Sequence, residues 1–188
     1  MNLSCTARLT RFVSNLLLLF VNTVGFITNS LISLGATPMW PASNGRMFHP
    51  LRYVQWLYST PTIIFMLWLP CDPDDVPWSK MMVAVAADVV MIVTGLLAIC
   101  SSGAAAVAAA MLSFAAFALV LYYLSAMLLS SIASSQDSDA RTTLRVVLVL
   151  TLLTWSAFPL VWSLARAQLI TPGTESLLWG LTDWVTKV

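Results

Sequence analysis

An acid and an amine four residues apart, Asp183 and Lys187, interrupt an otherwise apolar segment that begins near Ser176. At helical spacing the two share one face and stand close enough to form an ion pair. An ionisable side chain at bilayer depth costs about 2.5–3.5 kcal/mol on insertion scales, so such a pair marks a functional site by default. A lysine near a chain end can equally snorkel to the lipid headgroups. The segment alone leaves both readings open.

The elements that must position this pair are membrane helices. Of 188 residues 59% are hydrophobic and 9% charged, and the mean hydropathy is +0.86. Soluble domains carry about 25% charged residues, so the composition places the chain in the lipid bilayer. A net charge of +1 gives no reason to expect nucleic acid as a partner. Cys5, Cys71 and Cys100 form neither a metal spacing nor a disulfide framework, and Cys100, in an apolar run, reads as inert packing. His49 is the one histidine and, beside Pro50, reads as the end of a loop rather than a metal ligand.

With about 20 apolar residues as the spanning length, six helices are expected near 12–35, 50–70, 77–100, 103–133, 144–165 and 173–188. Together they make one all-α, polytopic transmembrane bundle over 1–188. The first span continues past Asn22 to Leu34, too long for a signal core. Loops fall at Thr37–Pro50, at Cys71–Pro77 with three aspartates, and at Ser134–Arg145. Small residues in Gly103–Ala110 suggest close helix packing. A cytoplasmic N-terminus would place Arg8, Arg11, Lys80, Arg141 and Arg145 inside and Arg46 and Arg166 outside, as the positive-inside rule prefers. Arg52 and Lys187 fall within or beside spans and need another explanation.

Four stretches in order carry a resemblance. The second span reads Arg52-Tyr53-Val54-Gln55-Trp56-Leu57-Tyr58-Ser59-Thr60-Pro61, and the third contains Asp88-Val89-Val90-Met91-Ile92-Val93-Thr94-Gly95. The fifth reads Trp155-Ser156-Ala157-Phe158-Pro159-Leu160-Val161-Trp162, and the last ends on Asp183 and Lys187. With their spacing, these resemble the microbial rhodopsins, the bacteriorhodopsin-like retinal proteins. The resemblance implies retinal bound covalently as a protonated Schiff base at Lys187. It implies Asp183 as counterion, Arg52 balancing it on the outer side, and Gln55 and Ser59 in the same network. The pocket residues it implies are Trp56, Thr60, Met91, Thr94, Gly95, Trp155, Phe158 and Trp162. Chemistry agrees, because a protonated imine in a low-dielectric bundle needs a nearby carboxylate to keep its proton. A flat polyene also needs aromatic walls, and Trp155 and Trp162, seven apart, face the same way. Trp40, Trp68 and Trp78 read as packing or interfacial aromatics instead. Pro61 and Pro159 imply bent helices, and Thr60 with Asp88 corresponds to a hydrogen-bonded family pair. Asp88 is expected buried, protonated and donating to Thr60, since its span holds no base near it.

The departures bear on mechanism. Gln55 stands where pumps of the family have an aspartate that accepts the Schiff-base proton, and Met66 stands at the cytoplasmic donor position. Both losses argue against an outward proton pump. Glu175 matches an outer carboxylate that takes part in proton release in some members. Phe158 replaces a tyrosine that hydrogen-bonds the counterion in many members, which implies fewer donors to Asp183. The fourth span lacks a tryptophan, with Ala104 or a neighbour in its place. Seven helices are implied, so the first is expected to be missing here and the last to be cut short.

The expected function is a retinal photoreceptor of the sensory or enzyme-linked type, signalling to a partner or appended domain. Light-driven or light-gated chloride transport is the alternative, favoured by the neutral Gln55 beside the Ser59 hydroxyl. A non-photoactive helical membrane protein is the third reading. No nucleophile–base or metal arrangement suggests an enzyme in this region, and a homo-oligomer stays open.

Overall fold

A computed structural model describes residues 2–69, 71 and 76–187, with side chains from residue 9 to residue 186. Asp72, Asp74 and Asp75, and the side chains of Cys5, Arg8 and Lys187, lie outside the described residues. The described chain runs α1 (Asn2–Ser33), β1 (Trp40–Pro41), β2 (Met47–Phe48), α2 (Pro50–Trp68), α3 (Trp78–Cys100), α4 (Gly103–Ser134), α5 (Ser138–Arg166) and α6 (Pro172–Lys187). Each helix lies where an apolar span was expected, and the ends differ for local reasons.

The first helix begins at Asn2 rather than 12 and stops at Ser33, two residues early. Gly35, at φ +66°, sets the stop: its amide bonds the Ile32 carbonyl, and the Ala36 amide bonds Leu31. That is a Schellman closure, which needs the left-handed residue glycine supplies cheaply. Helix α5 starts at Ser138, six residues before the expected 144. Asp137 caps it by accepting the Asp139 amide at 2.9 Å, so the helix extends into polar sequence that hydropathy reads as loop. Pro172 opens α6 where its missing amide costs nothing.

The expected loop 37–50 contains a short antiparallel hairpin, with Trp40 opposite Phe48 and Pro41 opposite Met47. The Ser43 amide bonds the Ile99 carbonyl at the end of α3. Arg46 then ties the hairpin to α5 and α6, donating to the Ala165 and Ile170 carbonyls and to Glu175.

Four helical stretches, Leu9–Ser33, α3, α4 and α5, are long and apolar enough to cross a membrane. Large apolar side chains such as Phe12, Phe26, Met111, Leu153 and Leu160 are exposed on α1, α4 and α5, as a bundle solvated by lipid requires. Helices α2 and α6 are shorter and carry the buried Arg52 and Asp183. Two buried clusters form the core. One joins α2, α3, α4 and Trp155 around Ile64, Met81, Val120 and Leu124; the other gathers Phe48, Tyr53, Trp56, Ile92, Val161 and Trp179. Among the cysteines, Cys100 is exposed at the end of α3, so the packing role expected from its apolar run does not hold. Cys71 is buried, accepting from Ser131 Oγ at 3.1 Å. Trp68 donates to the Val76 carbonyl at 2.9 Å and so ties the end of α2 to the residues just before α3.

Candidate functional site

The polar centre is built from three helices. Asp183 on α6 is 2% exposed. Arg52 Nη1 from α2 lies 3.4 Å from its Oδ2, and Gln55 Nε2 donates to the same oxygen at 3.2 Å. Trp56 donates its indole N–H to Oδ1 at 3.2 Å, and Asn29 of α1 reaches Oδ2 at 3.5 Å. Positions 52, 55, 56 and 59 share one face of α2 by helical spacing, which explains why one helix supplies so many partners. Phe158, expected to leave Asp183 with fewer donors than a tyrosine would, gives it none. The donors come from α1 and α2, and Phe158 packs its ring against Trp179 and edge-on to Trp56 instead.

Gln55 Oε1 and Ser59 Oγ are buried and have no hydrogen-bond partner among the described residues. Leaving a buried polar atom unpaired costs about 1–3 kcal/mol, so these acceptors call for a donor. Lys187 follows Asp183 by one turn of α6; its side chain lies outside the described residues.

Beside this centre is an apolar cavity of about 680 Å³, counting the space at its mouth. Its walls include Trp56 and Thr60 from α2, Met91 and Gly95 from α3, and Trp155, Phe158 and Trp162 from α5. Thr94 is not on the wall. Its hydroxyl turns back to the Val90 carbonyl at 2.6 Å, leaving Met91 and Gly95, a turn apart, to face inward. A Cβ on Gly95 would meet Ser113 Oγ at 3.2 Å, so any larger residue there would push on a hydroxyl that already donates to the Met91 carbonyl at 2.8 Å.

Ala104 is exposed near the start of α4 and takes no part. Ser113, Phe114 and Phe117 supply the α4 wall, with Phe114 edge-on to Trp162 at 5.9 Å. Sequence reading missed these three, along with Tyr53, Trp179 and Asn29. An aromatic pair three apart in α4 was the available sign, but a helix with only scattered serines and tyrosines has no polar face to reveal which side turns inward. Pro159 also lines the cavity, and its ring removes the backbone donor owed to Trp155.

Thr60 Oγ1 lies within hydrogen-bonding distance of two acceptors, Asp88 Oδ2 at 2.6 Å and the Trp56 carbonyl at 2.9 Å. Near the start of α6, Trp179 donates to Glu175 Oε1 at 3.1 Å, and Arg46 holds the other Glu175 oxygen. His49, between Thr37 and Arg52, has its pKa lowered by burial and then by the Arg52 charge.

An apolar, aromatic cavity joined through Trp56 to a buried carboxylate, with two unpartnered acceptors on the same helix, suits a long conjugated ligand with one positively charged, proton-bearing end. The bacteriorhodopsin-like protein family model matches residues 7–188. Archaerhodopsin-2 of Halobacterium sp. (strain aus-2) is 31% identical over 140 residues, covering 73% of this chain and 52% of that protein. Halorhodopsin of Halobacterium halobium (strain mex) is 34% identical over 154 residues, covering 78% and 69%. The chain thus spans about half the length of the archaerhodopsin it matches. The thermophilic rhodopsin of Rubrobacter xylanophilus superposes with a TM-score of 0.81 at 25% identity, over 93% of this chain and 77% of that one. The chain belongs to the bacteriorhodopsin-like family, the type I microbial rhodopsins, whose members hold retinal through a Schiff-base lysine.

Proposed function

We propose that this chain is the light-sensing core of a membrane photoreceptor, with retinal carried on Lys187 and its output passed to a partner or appended domain. One observation carries the reading: Trp56 is at once a wall of the apolar cavity and a donor to Asp183, one turn before Lys187. Bound retinal would supply a light-driven isomerisation and a positive charge at its point of attachment. Asp183 holds that charge, and Arg52, Gln55, Trp56 and Asn29 fix the carboxylate's direction. Gln55 Oε1 and Ser59 Oγ offer the attachment proton its acceptors. Trp155, Phe158 and Trp162 exclude water, and Pro159 gives α5 a place to bend. Thr60 has one proton for two acceptors, which supports a protonated Asp88 donating to it. The Lys/Arg distribution supports a cytoplasmic N-terminus.

Gln55 cannot accept a proton at physiological pH, and Met66 cannot return one, so outward proton pumping is the disfavoured transport mode. A second reading, chloride transport, is favoured by the neutral Gln55 beside the unpartnered Ser59 hydroxyl.

The test is to add all-trans-retinal to the purified chain in lipid nanodiscs and record the visible spectrum. A visible band, red-shifted because the Asp183 charge is shared among several donors, is expected. No band, or one in the blue at neutral pH, would count against this account. A colour or photocurrent that depends on chloride would select transport over sensing. Gly95→Leu should cut retinal uptake severely, measured as pigment yield at equal helicity, because its side chain would project toward Ser113 and the cavity. Undiminished yield would remove this cavity from the site.

A further inference from the structure

Asn29 brings α1 to the Arg52–Asp183 pair, and its amide has a single orientation that fits its surroundings. Its Nδ2 faces two acceptors, the Gly25 carbonyl at 3.0 Å and Asp183 Oδ2 at 3.5 Å. Its Oδ1 accepts from Arg52 Nη1 at 3.2 Å. Exchanging oxygen and nitrogen would set donor against donor at Arg52 and acceptor against acceptor at the other two. The bond to Gly25, one turn back in the same helix, holds the amide rigid.

The distances decide what this clamp does. Arg52 Nη1 is nearer to Asn29 Oδ1, at 3.2 Å, than to Asp183 Oδ2, at 3.4 Å. The amide oxygen therefore competes with the carboxylate for the guanidinium. We infer that Asn29 is a positioning residue: it draws Arg52 partly off Asp183 and so sets how much negative charge remains for the retinal attachment. This rests on the reading of Asp183 as counterion. Among the described residues, the charged or titratable groups that act on Arg52 are Asp183 and Glu175 from α6, Tyr53 from α2 and, before α2, His49. Lys187 follows Asp183 by one turn of α6. Helix α1 contributes the non-titrating Asn29, and α5 faces Trp56 and Trp179 with Phe158.

Two substitutions should move the pigment's colour in opposite directions. With Asn29→Leu, Asp183 loses a neutral amide donor at 3.5 Å but gains a guanidinium no longer shared with the amide oxygen. A charge-assisted bond outweighs a neutral one, so the ion pair tightens and less charge faces the attachment. The gap between ground and excited states narrows, and absorption shifts to the red. With Asn29→Asp a second carboxylate pulls Arg52 away and adds negative charge, so absorption shifts to the blue. A residue that only packed would shift both variants alike or neither.

The experiment compares absorption maxima of wild type, Asn29→Leu and Asn29→Asp in retinal-loaded nanodiscs. The Arg52 guanidinium nitrogen resonances of the retinal-free chains, isotope-labelled on arginine, are followed in parallel. Opposite colour shifts with displaced Arg52 signals are the expected result. Unmoved Arg52 signals, or shifts of the same sign, overturn the role of Asn29 while leaving retinal binding intact. A wild-type chain that takes up no retinal overturns the counterion reading itself, and this inference with it.

Discussion

Replacing Lys187 by alanine should abolish the visible band of the retinal-treated chain outright, because no other lysine is near the cavity. Lys80, the second lysine in the sequence, is exposed in the first turn of α3, two turns before Asp88. The control is Lys187→Arg, which keeps a positive charge one turn from Asp183 but cannot condense with an aldehyde. Both variants should retain wild-type helicity by circular dichroism, since alanine and arginine are both good helix formers. A band that survived in either variant, at the wild-type wavelength, would place the attachment elsewhere and end the retinal interpretation of this residue.

Removing the acid should be costly for a different reason. Arg52 is 4% exposed and is held by Asp183 and Asn29. Asp183→Ala leaves that guanidinium buried without its counter-charge. Breaking a buried pair from one side costs about 3–5 kcal/mol, far more than the pair itself adds to stability. The retinal-free variant should therefore unfold at clearly lower denaturant than wild type, while the double variant Asp183→Ala with Arg52→Leu recovers much of the loss. Any pigment formed should also lose its visible band at neutral pH, since a positive charge in a low-dielectric site sheds its proton when no carboxylate faces it. Wild-type stability together with wild-type colour would remove Asp183 from the centre of the site.

Legibility differed from element to element. Lengths of apolar sequence were enough to locate every helix, because a bilayer accepts few other structures. The ends were misjudged where a cap or a turn, invisible to hydropathy, settled the matter: Gly35 cut α1 short and Asp137 carried α5 back to Ser138. The hairpin at Trp40–Phe48 was hidden because two-residue strands leave no alternation to read.

Within the site, the chain alone determined which residues could do chemistry. Arg52, Gln55, Asp183 and Lys187 are ionisable or amide groups in apolar surroundings, and helical spacing assigned their faces. Spacing within one helix says nothing about which faces of two helices meet. Only the tertiary structure could bring Asn29 of α1 to a carboxylate 154 positions away, or turn Thr94 aside from the cavity. The same holds for Phe114 and Phe117, which fill the α4 wall beside Ser113, a single hydroxyl too weak a mark to pick the inward side. Local sequence chose the chemistry; the packing of uniformly apolar helices chose its partners.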